Sequence, residues 1–403
     1  MAATSGSNAL NPSSAPPKIL LAKPGLNRVG GPGGSEDESV TLRSRLPPPA
    51  SLNLLSDSWE FHTDRILQFL TENTDFTVIG VIGPSGVGKS TILNELFGFD
   101  ATSPGMLPPF ATQTEETRAM ARHCTVGMEL RVSAERLVLL DTQPIFSPSV
   151  LAEMMRPDGS STISILHGES LSADLAHELM GIQLGVFMAS VCHVILVISE
   201  GVHDMNMWHL MLTVDLLKHG IPDPSSLTSS YSQGSNLGHE KETKDTPQEA
   251  DEEYLAAPIF VHTKLRELDL FPINTLQLRR ALSQYFSLSS FMGKKYVNNI
   301  KAQMQSSGSS DNKTDDLGSA ELELFLIPSK RQDDLQRVQC ESYVSMLGKL
   351  RDLVLSINCR HFAKAVSERE WLRNSARIWD MVKNSPVIAE YSRTLQSSGM
   401  FRR

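Results

Sequence analysis

Phe76-Thr-Val-Ile-Gly-Val-Ile-Gly-Pro-Ser-Gly-Val-Gly-Lys-Ser-Thr91 decides the fold of this chain. An apolar, largely β-branched run predicts a strand. A glycine-rich turn follows, and Ile92-Leu93-Asn94-Glu95-Leu96-Phe97 continues with helical spacing. Gly83, Gly88, Lys89 and Ser90 satisfy G-x-x-x-x-G-K-[ST], the phosphate-binding loop. Glycines let the backbone curl until successive N–H groups point inward at phosphate oxygens, and the helix that follows adds its positive N-terminal end. The candidate nucleotide-binding residues of this stretch are Gly83, Ser85, Gly86, Val87, Gly88, Lys89, Ser90 and Thr91. Among them Lys89 would reach the outer phosphates and Ser90 would ligate magnesium. The competing reading is a tight strand-to-helix turn that holds nothing.

Outward from the loop, strands and helices alternate. Asp57 and Glu60 resemble a capping box, and Trp59, Ile66 and Leu70 share one face of the helix it would start, ending near Asn73. Gly98 stops the loop helix, and 100–125 reads as a long polar loop with Pro104, Pro108 and Pro109. Met128–Val132 and Leu137–Leu140 predict two strands joined by Ser133-Ala-Glu-Arg136. The segment from Ser147 to Leu171 is loop-rich. Leu175, Leu179, Ile182 and Val186 mark a helix, and Val191–Ile198 is the continuous apolar run of a buried parallel strand. A helix over Asp204–Lys218, a strand over Ile259–His262, a helix over Leu276–Phe286 and a strand over Leu322–Ile327 complete the pattern. Helices over Leu335–Ile357 and Ser367–Asn384 follow, the latter with a capping box at Ser367 and Glu370, and Val387–Leu395 adds a turn or two after Pro386.

Because parallel strands need helical crossovers, this order predicts an α/β fold. The expected architecture is a P-loop, G-like domain over 56–397 with a mostly parallel sheet and C-terminal helices from about 335. Residues 1–55, rich in Ser, Pro and Gly, and two polar insertions at about 222–253 and 305–318 are expected to be disordered. The patch Ile19-Leu20-Leu21 is either an incidental cluster or a docking peptide.

Composition narrows the function. A formal net charge of -9 over 403 residues argues against a broad nucleic-acid-binding face, so sequence-specific nucleic-acid contact is not expected. The four cysteines (Cys124, Cys192, Cys340 and Cys359) form no C-x-x-C pair and suit a reducing compartment. No apolar stretch approaches the ~20 residues that span a bilayer. The expectation is a soluble, cytoplasmic protein with no membrane partner.

A guanine-nucleotide switch needs more than a phosphate loop. Thr125, ahead of the strand at Met128, is a candidate magnesium-linked Thr, and Asp141, at the end of an apolar strand, is the candidate magnesium carboxylate. An Asp in that position can equally be a turn residue. The usual Asp-x-x-Gly is altered to Asp141-Thr-Gln-Pro144, and proline carries no amide N–H for the third phosphate. Gln143 lies near the position that would orient an attacking water, or is a plain turn residue. Asn-Lys-x-Asp is altered to Thr263-Lys264-Leu265-Arg266. Lys264 remains a candidate base-contacting residue, but Arg266 cannot accept the two guanine hydrogen bonds that an Asp would. The bound group is expected to be ATP or GTP, or their diphosphates, with Mg2+.

Three segments carry a resemblance: Arg136-Leu-Val-Leu-Leu-Asp-Thr-Gln-Pro-Ile-Phe-Ser-Pro-Ser-Val150, Ser190-Val-Cys-His-Val-Ile-Leu-Val-Ile198, and Ala376-Arg-Ile-Trp-Asp-Met-Val-Lys383 with Ala389-Glu-Tyr-Ser-Arg393. They resemble the nonsense-mediated mRNA decay factors of the SMG-nine type over roughly Asp57 to Leu395. The resemblance implies a G-like domain that pairs with the corresponding domain of an SMG-eight-like protein. It also implies that the pair binds the SMG-one-like kinase, a phosphatidylinositol-3-kinase-related Ser/Thr kinase, and tunes its phosphorylation of the UPF-one helicase. The nucleotide would then be structural or regulatory, with adenine as admissible as guanine. The middle of the phosphate loop departs from the family pattern while keeping every element that phosphate binding needs.

Three functions compete. One is a non-catalytic, nucleotide-binding regulatory subunit of the SMG-one kinase complex, bridging the kinase and the SMG-eight-like subunit. The second is an active P-loop ATPase or GTPase using Lys89, Ser90, Thr125 and Asp141. The third, a small-molecule kinase, ranks last because it needs an arginine-bearing lid, and Arg118, Arg122 and Arg131 have no position that sequence can assign.

Overall fold

A computed structural model describes residues 52–100, 107–155, 171–228, 253–292, 322–330, 341–357 and 361–399. All of them belong to one compact unit. The remainder of the expected tail, the Ile19-Leu20-Leu21 patch, the insertion at 305–318 and most of that at 222–253 lie outside these residues.

Seven strands form one sheet: β1 (Asn53–Leu55), β2 (Thr77–Ile82), β3 (Met128–Val132), β4 (Leu137–Thr142), β5 (Val194–Glu200), β6 (Ala257–Leu265) and β7 (Glu323–Pro328). Their spatial order is β1-β3-β4-β2-β5-β6-β7. β4, β2, β5, β6 and β7 run parallel, while β3 is antiparallel to β4 and β1 antiparallel to β3. The fold is therefore the expected α/β G-like sheet, with an added edge strand. Strand side chains alternate between the two faces. Ile79, Val81, Leu139, Leu196 and Ile198 enter one core, and Val78, Val138, Leu140, Ile195 and Val197 the other.

The first face packs against α2 (Lys89–Phe97) and α8 (Tyr343–Ser356), which contribute Ile92, Leu93, Leu96, Leu347, Leu350 and Val354. The second holds α5 (Ala173–Val191), α6 (Met205–Leu217), α7 (Pro272–Tyr285), α9 (Glu368–Lys383) and α10 (Pro386–Ser398). α5 is buried nearly all round because the sheet lies on one side and α6 and α9 on the other. A Cβ on Gly185 would meet Val214 at 2.4 Å, so glycine there sets the α5–α6 approach. α9 begins with the expected capping box, Ser367 with Glu370. It locks the fold with two indoles: Trp371 donates to the Val191 carbonyl (2.8 Å) and Trp379 to the Trp59 carbonyl (3.3 Å). Its fully buried Glu368 pairs with Arg136 of the β3–β4 turn and accepts from Thr71.

Several expectations need correction. The helix expected from Asp57 is not formed. Its first part is a loop, with Trp59 at φ 66°, and only α1 (Asp64–Leu67) is helical. Trp59 is buried as a helix face would have it, but through a left-handed turn that stacks it edge-on to Trp379 at 5.6 Å and lets its indole donate to Gln183. β1 takes residues 53–55 out of the expected tail, because its backbone completes the free edge of β3. The 100–125 loop contains a short helix, α3 (Glu115–Ala119), capped by Thr114. A further helix, α4 (Pro148–Met154), starts the stretch expected to be mixed loop. The expected insertion at 222 starts later: Asp223 and Ser225 are buried, and Asn374 of α9 donates to the Pro224 carbonyl. α10 is longer than the one or two turns expected. No helix among the described residues is long and apolar enough to cross a membrane.

Candidate functional site

The carboxyl ends of β2, β4 and β5 converge where a doubly wound sheet holds its ligands. β2 delivers Gly83, whose missing side chain is essential: a Cβ there would lie 2.2 Å from the Ile198 carbonyl oxygen of β5. Gly86 and Gly88 carry the loop through left-handed φ of 77° and 99°, and Gly88 caps α2. Thr263 at the end of β6 donates to the Val87 carbonyl at 2.9 Å and braces the loop from the far side.

Lys89 folds back over the loop. Its ammonium donates to the carbonyls of Gly83 (3.0 Å) and Pro84 (2.9 Å). Burial pushes its pKa down to about 8, and the charge of Asp141 works against that shift. Asp141 is the hub of the site. One carboxylate oxygen, Oδ2, accepts from both Ser90 (2.7 Å) and Thr125 (2.8 Å). The other, Oδ1, is buried with no hydrogen-bond partner among the described residues. Burial pushes the Asp141 pKa up; Lys89 and the two hydroxyls oppose it. Two hydroxyls and one carboxylate, all oxygen, fit a hard cation such as Mg2+, and the orphaned Oδ1 is the acceptor that a metal-bound water would satisfy. Ser90, Thr125 and Asp141 are the residues that would hold it, together with phosphate oxygens. The metal would neutralise phosphate charge there. No group of three or more His, Cys, Asp or Glu able to hold a metal occurs among the described residues, so no protein-only cage competes.

A pocket of about 130 Å3 opens above the loop. Ser85, Gly86, Gly88, Lys89, Ser90 and Thr91 form its floor, and Thr125 and Pro144 line it as well. Val87 is buried and Gly83 acts from beneath. Pro144 reaches the pocket without an N–H, so the usual amide donor is absent at this wall. Gln143 does not line it. Its side chain accepts from the Gly127 N–H at 3.0 Å and its own N–H donates to the Gly127 carbonyl at 2.8 Å, which makes it a brace between β4 and the start of β3.

Lys264 is not brought to this pocket. It sits in β6 at φ 56°, and its half-exposed ammonium pairs with Glu200 at 2.7 Å. Arg266 is engaged with Asp269 across the start of a 3-10 turn. Sequence reasoning named Arg118 without placing it and missed His123 and Gln113; all three line the pocket. His123 faces Ser149 at 3.0 Å and Glu153 at 3.5 Å on α4, and burial, with a smaller contribution from Lys89, lowers its pKa. A signal for Arg118 was present, since Thr114 followed by two glutamates reads as a helix start. The other two Arg candidates are not among the residues lining the pocket. Arg131 is buried over the Phe110 ring, 5.7 Å from its centroid, and the Arg122 carbonyl accepts from Gln113.

Comparison with known proteins gives a consistent family. A nonsense-mediated mRNA decay factor SMG9 of Xenopus laevis is 27% identical over 401 residues, 94% of this chain and 74% of that protein. The chain is similar to SMG9 decay factors over nearly its whole length. The SMG9 of Salmo salar is also 27% identical, over 88% of this chain and 70% of its own length. That of Caenorhabditis briggsae is 31% identical over 176 residues, 44% of this chain and 42% of its own. No family model matches the chain. Among solved structures, a bacterial selenocysteine-specific elongation factor is 12% identical at a TM-score of 0.26, covering 70% of this chain and 29% of that one. A septin GTPase domain from Chlamydomonas reinhardtii is 10% identical at 0.29, covering 79% and 98%. Superpositions that loose carry no argument, and the fold assignment stands on the strand order and the loop.

Proposed function

We propose that this protein is a nucleotide-binding, non-catalytic regulatory subunit in nonsense-mediated mRNA decay, acting in the SMG-one kinase complex between the kinase and an SMG-eight-like subunit. The decay role follows from its SMG9 homologues. The kinase and SMG-eight-like partners come from the sequence resemblance. The observation that carries nucleotide binding without turnover is the contrast around Asp141. The phosphate and magnesium side keeps Lys89, Ser90, Thr125 and the unpartnered Oδ1. The hydrolytic side has Pro144 in place of a donor and Gln143 turned onto Gly127. The nucleotide would be ATP or GTP with Mg2+, held to shape a partner-binding domain.

The test uses the full chain. Calorimetry with Mg2+ should show nucleotide binding, and turnover of ATP and GTP should be no faster than in Lys89→Ala. The protein should co-purify from extract with SMG-eight-like and SMG-one-like proteins. Failure to associate overturns the scaffold role, and turnover that Lys89→Ala abolishes establishes an NTPase instead.

A further inference from the structure

We propose that Arg118 binds the terminal phosphate and makes the pocket select a nucleoside triphosphate over a diphosphate. This rests on the nucleotide-binding reading of the same site. Arg118 lines the pocket together with the loop and Pro144. Its guanidinium is exposed and has no ion-pair or hydrogen-bond partner among the described residues. The wall that Pro144 forms lacks the N–H through which a switch glycine would read the outermost phosphate. Arg118 brings five donors in a planar fork to that same pocket, the geometry that matches a phosphate.

The segment that presents Arg118 is anchored at both ends to loop elements. At one end Phe110 is fully buried, its N–H donates to Asn94 Oδ1 of α2 (2.9 Å), and its carbonyl accepts from Asn94 Nδ2 (3.0 Å). At the other, Thr125 donates to Asp141. Between them Thr114 caps α3 by accepting from the Thr117 N–H, and Gln113 donates to the Arg122 carbonyl at 3.1 Å, closing the segment on itself. Lys89 and Arg118 both line this pocket, so two cations face one polyphosphate site.

The experiment compares the β,γ-imido analogues of ATP and GTP with ADP and GDP, by calorimetry with Mg2+, on the full-length wild type, Arg118→Ala, Arg118→Lys and Arg122→Ala. The expected result is that Arg118→Ala loses about tenfold in triphosphate affinity, about 1.4 kcal/mol, with diphosphate affinity unchanged. Arg118→Lys should recover part of the loss and Arg122→Ala none of it should show. An unchanged triphosphate-to-diphosphate ratio in Arg118→Ala overturns the role of Arg118 alone. A wild type that binds none of the four overturns the nucleotide-binding reading and Arg118 with it. Exposure of the side chain means folding is not at stake, and an unchanged thermal midpoint in each variant verifies that.

Discussion

The phosphate end and the base end of the same sheet edge are built differently. At Gly83–Ser90 the side chains are tied to the loop and to one another: Lys89 to the loop carbonyls, Ser90 and Thr125 to Asp141, and Thr263 to Val87. At Lys264–Asp269 the charged groups satisfy one another at the surface. Lys264 pairs with Glu200 and Arg266 with Asp269, all within reach of water, where such pairs contribute little. The first region is a preorganised grip. In the second, Lys264 bridges to Glu200 of β5 and Arg266 is held by Asp269 at the start of a 3-10 turn.

The sharpest way to break this contrast is to disturb the floor of the grip. Gly83→Ala pushes a Cβ into the Ile198 carbonyl. Urea unfolding should show a loss of about 2–3 kcal/mol, and nucleotide binding should vanish. A variant as stable as wild type that still binds would mean the strands can separate at no cost. Next in size is Lys89→Ala, which should weaken nucleotide affinity at least tenfold, about 1.4 kcal/mol. Equal calorimetric affinities would reduce the loop to a turn.

A third effect is a pH dependence. Lys89 is depressed to about 8 from its ordinary 10.5. Between those values the unfolded chain binds more protons than the folded one, so nucleotide-free stability rises with pH across that window. The stability this deprotonation contributes is full above 10.5 and is lost as pH falls through about 8. Lys89→Met, which has no charge to bury, should therefore be more stable than wild type at pH 7, and the gap should close toward pH 10. A gap that stays constant would show that the amine is not desolvated. The smallest effects belong to the base end. Arg266→Ala should change affinity by less than about twofold, and adenine and guanine nucleotides should differ by less than about tenfold, under about 1.4 kcal/mol. A strong guanine preference would place a base-reading group elsewhere.

Legibility divides along the same line as locality. The strand–loop–helix unit could be read because its apolar run, glycines and helical spacing are neighbours in the chain. So could the α9 cap, where Ser367 and Glu370 are three residues apart and bond as their types suggest. Asp57 and Glu60 carry a similar spacing and form no cap. There the edge of β3 pairs with Asn53–Leu55, and the pocket formed by Gln183 and Trp379 takes Trp59, so tertiary contacts override the local signal. α3 escaped notice because a five-residue polar helix has no periodicity to detect.

Residue identity alone determined that phosphate could be gripped, that Pro144 offers no N–H, and that position 266 cannot accept from guanine, because these are properties of single side chains and backbones. Only the tertiary structure decided that Asp141 serves Ser90 and Thr125 at once, that Gln143 braces Gly127, and that Arg118 lines the same pocket as the loop. Those relations join residues far apart in the chain. The distances between them are set by strand register and by the packing of α2, and no local pattern encodes either.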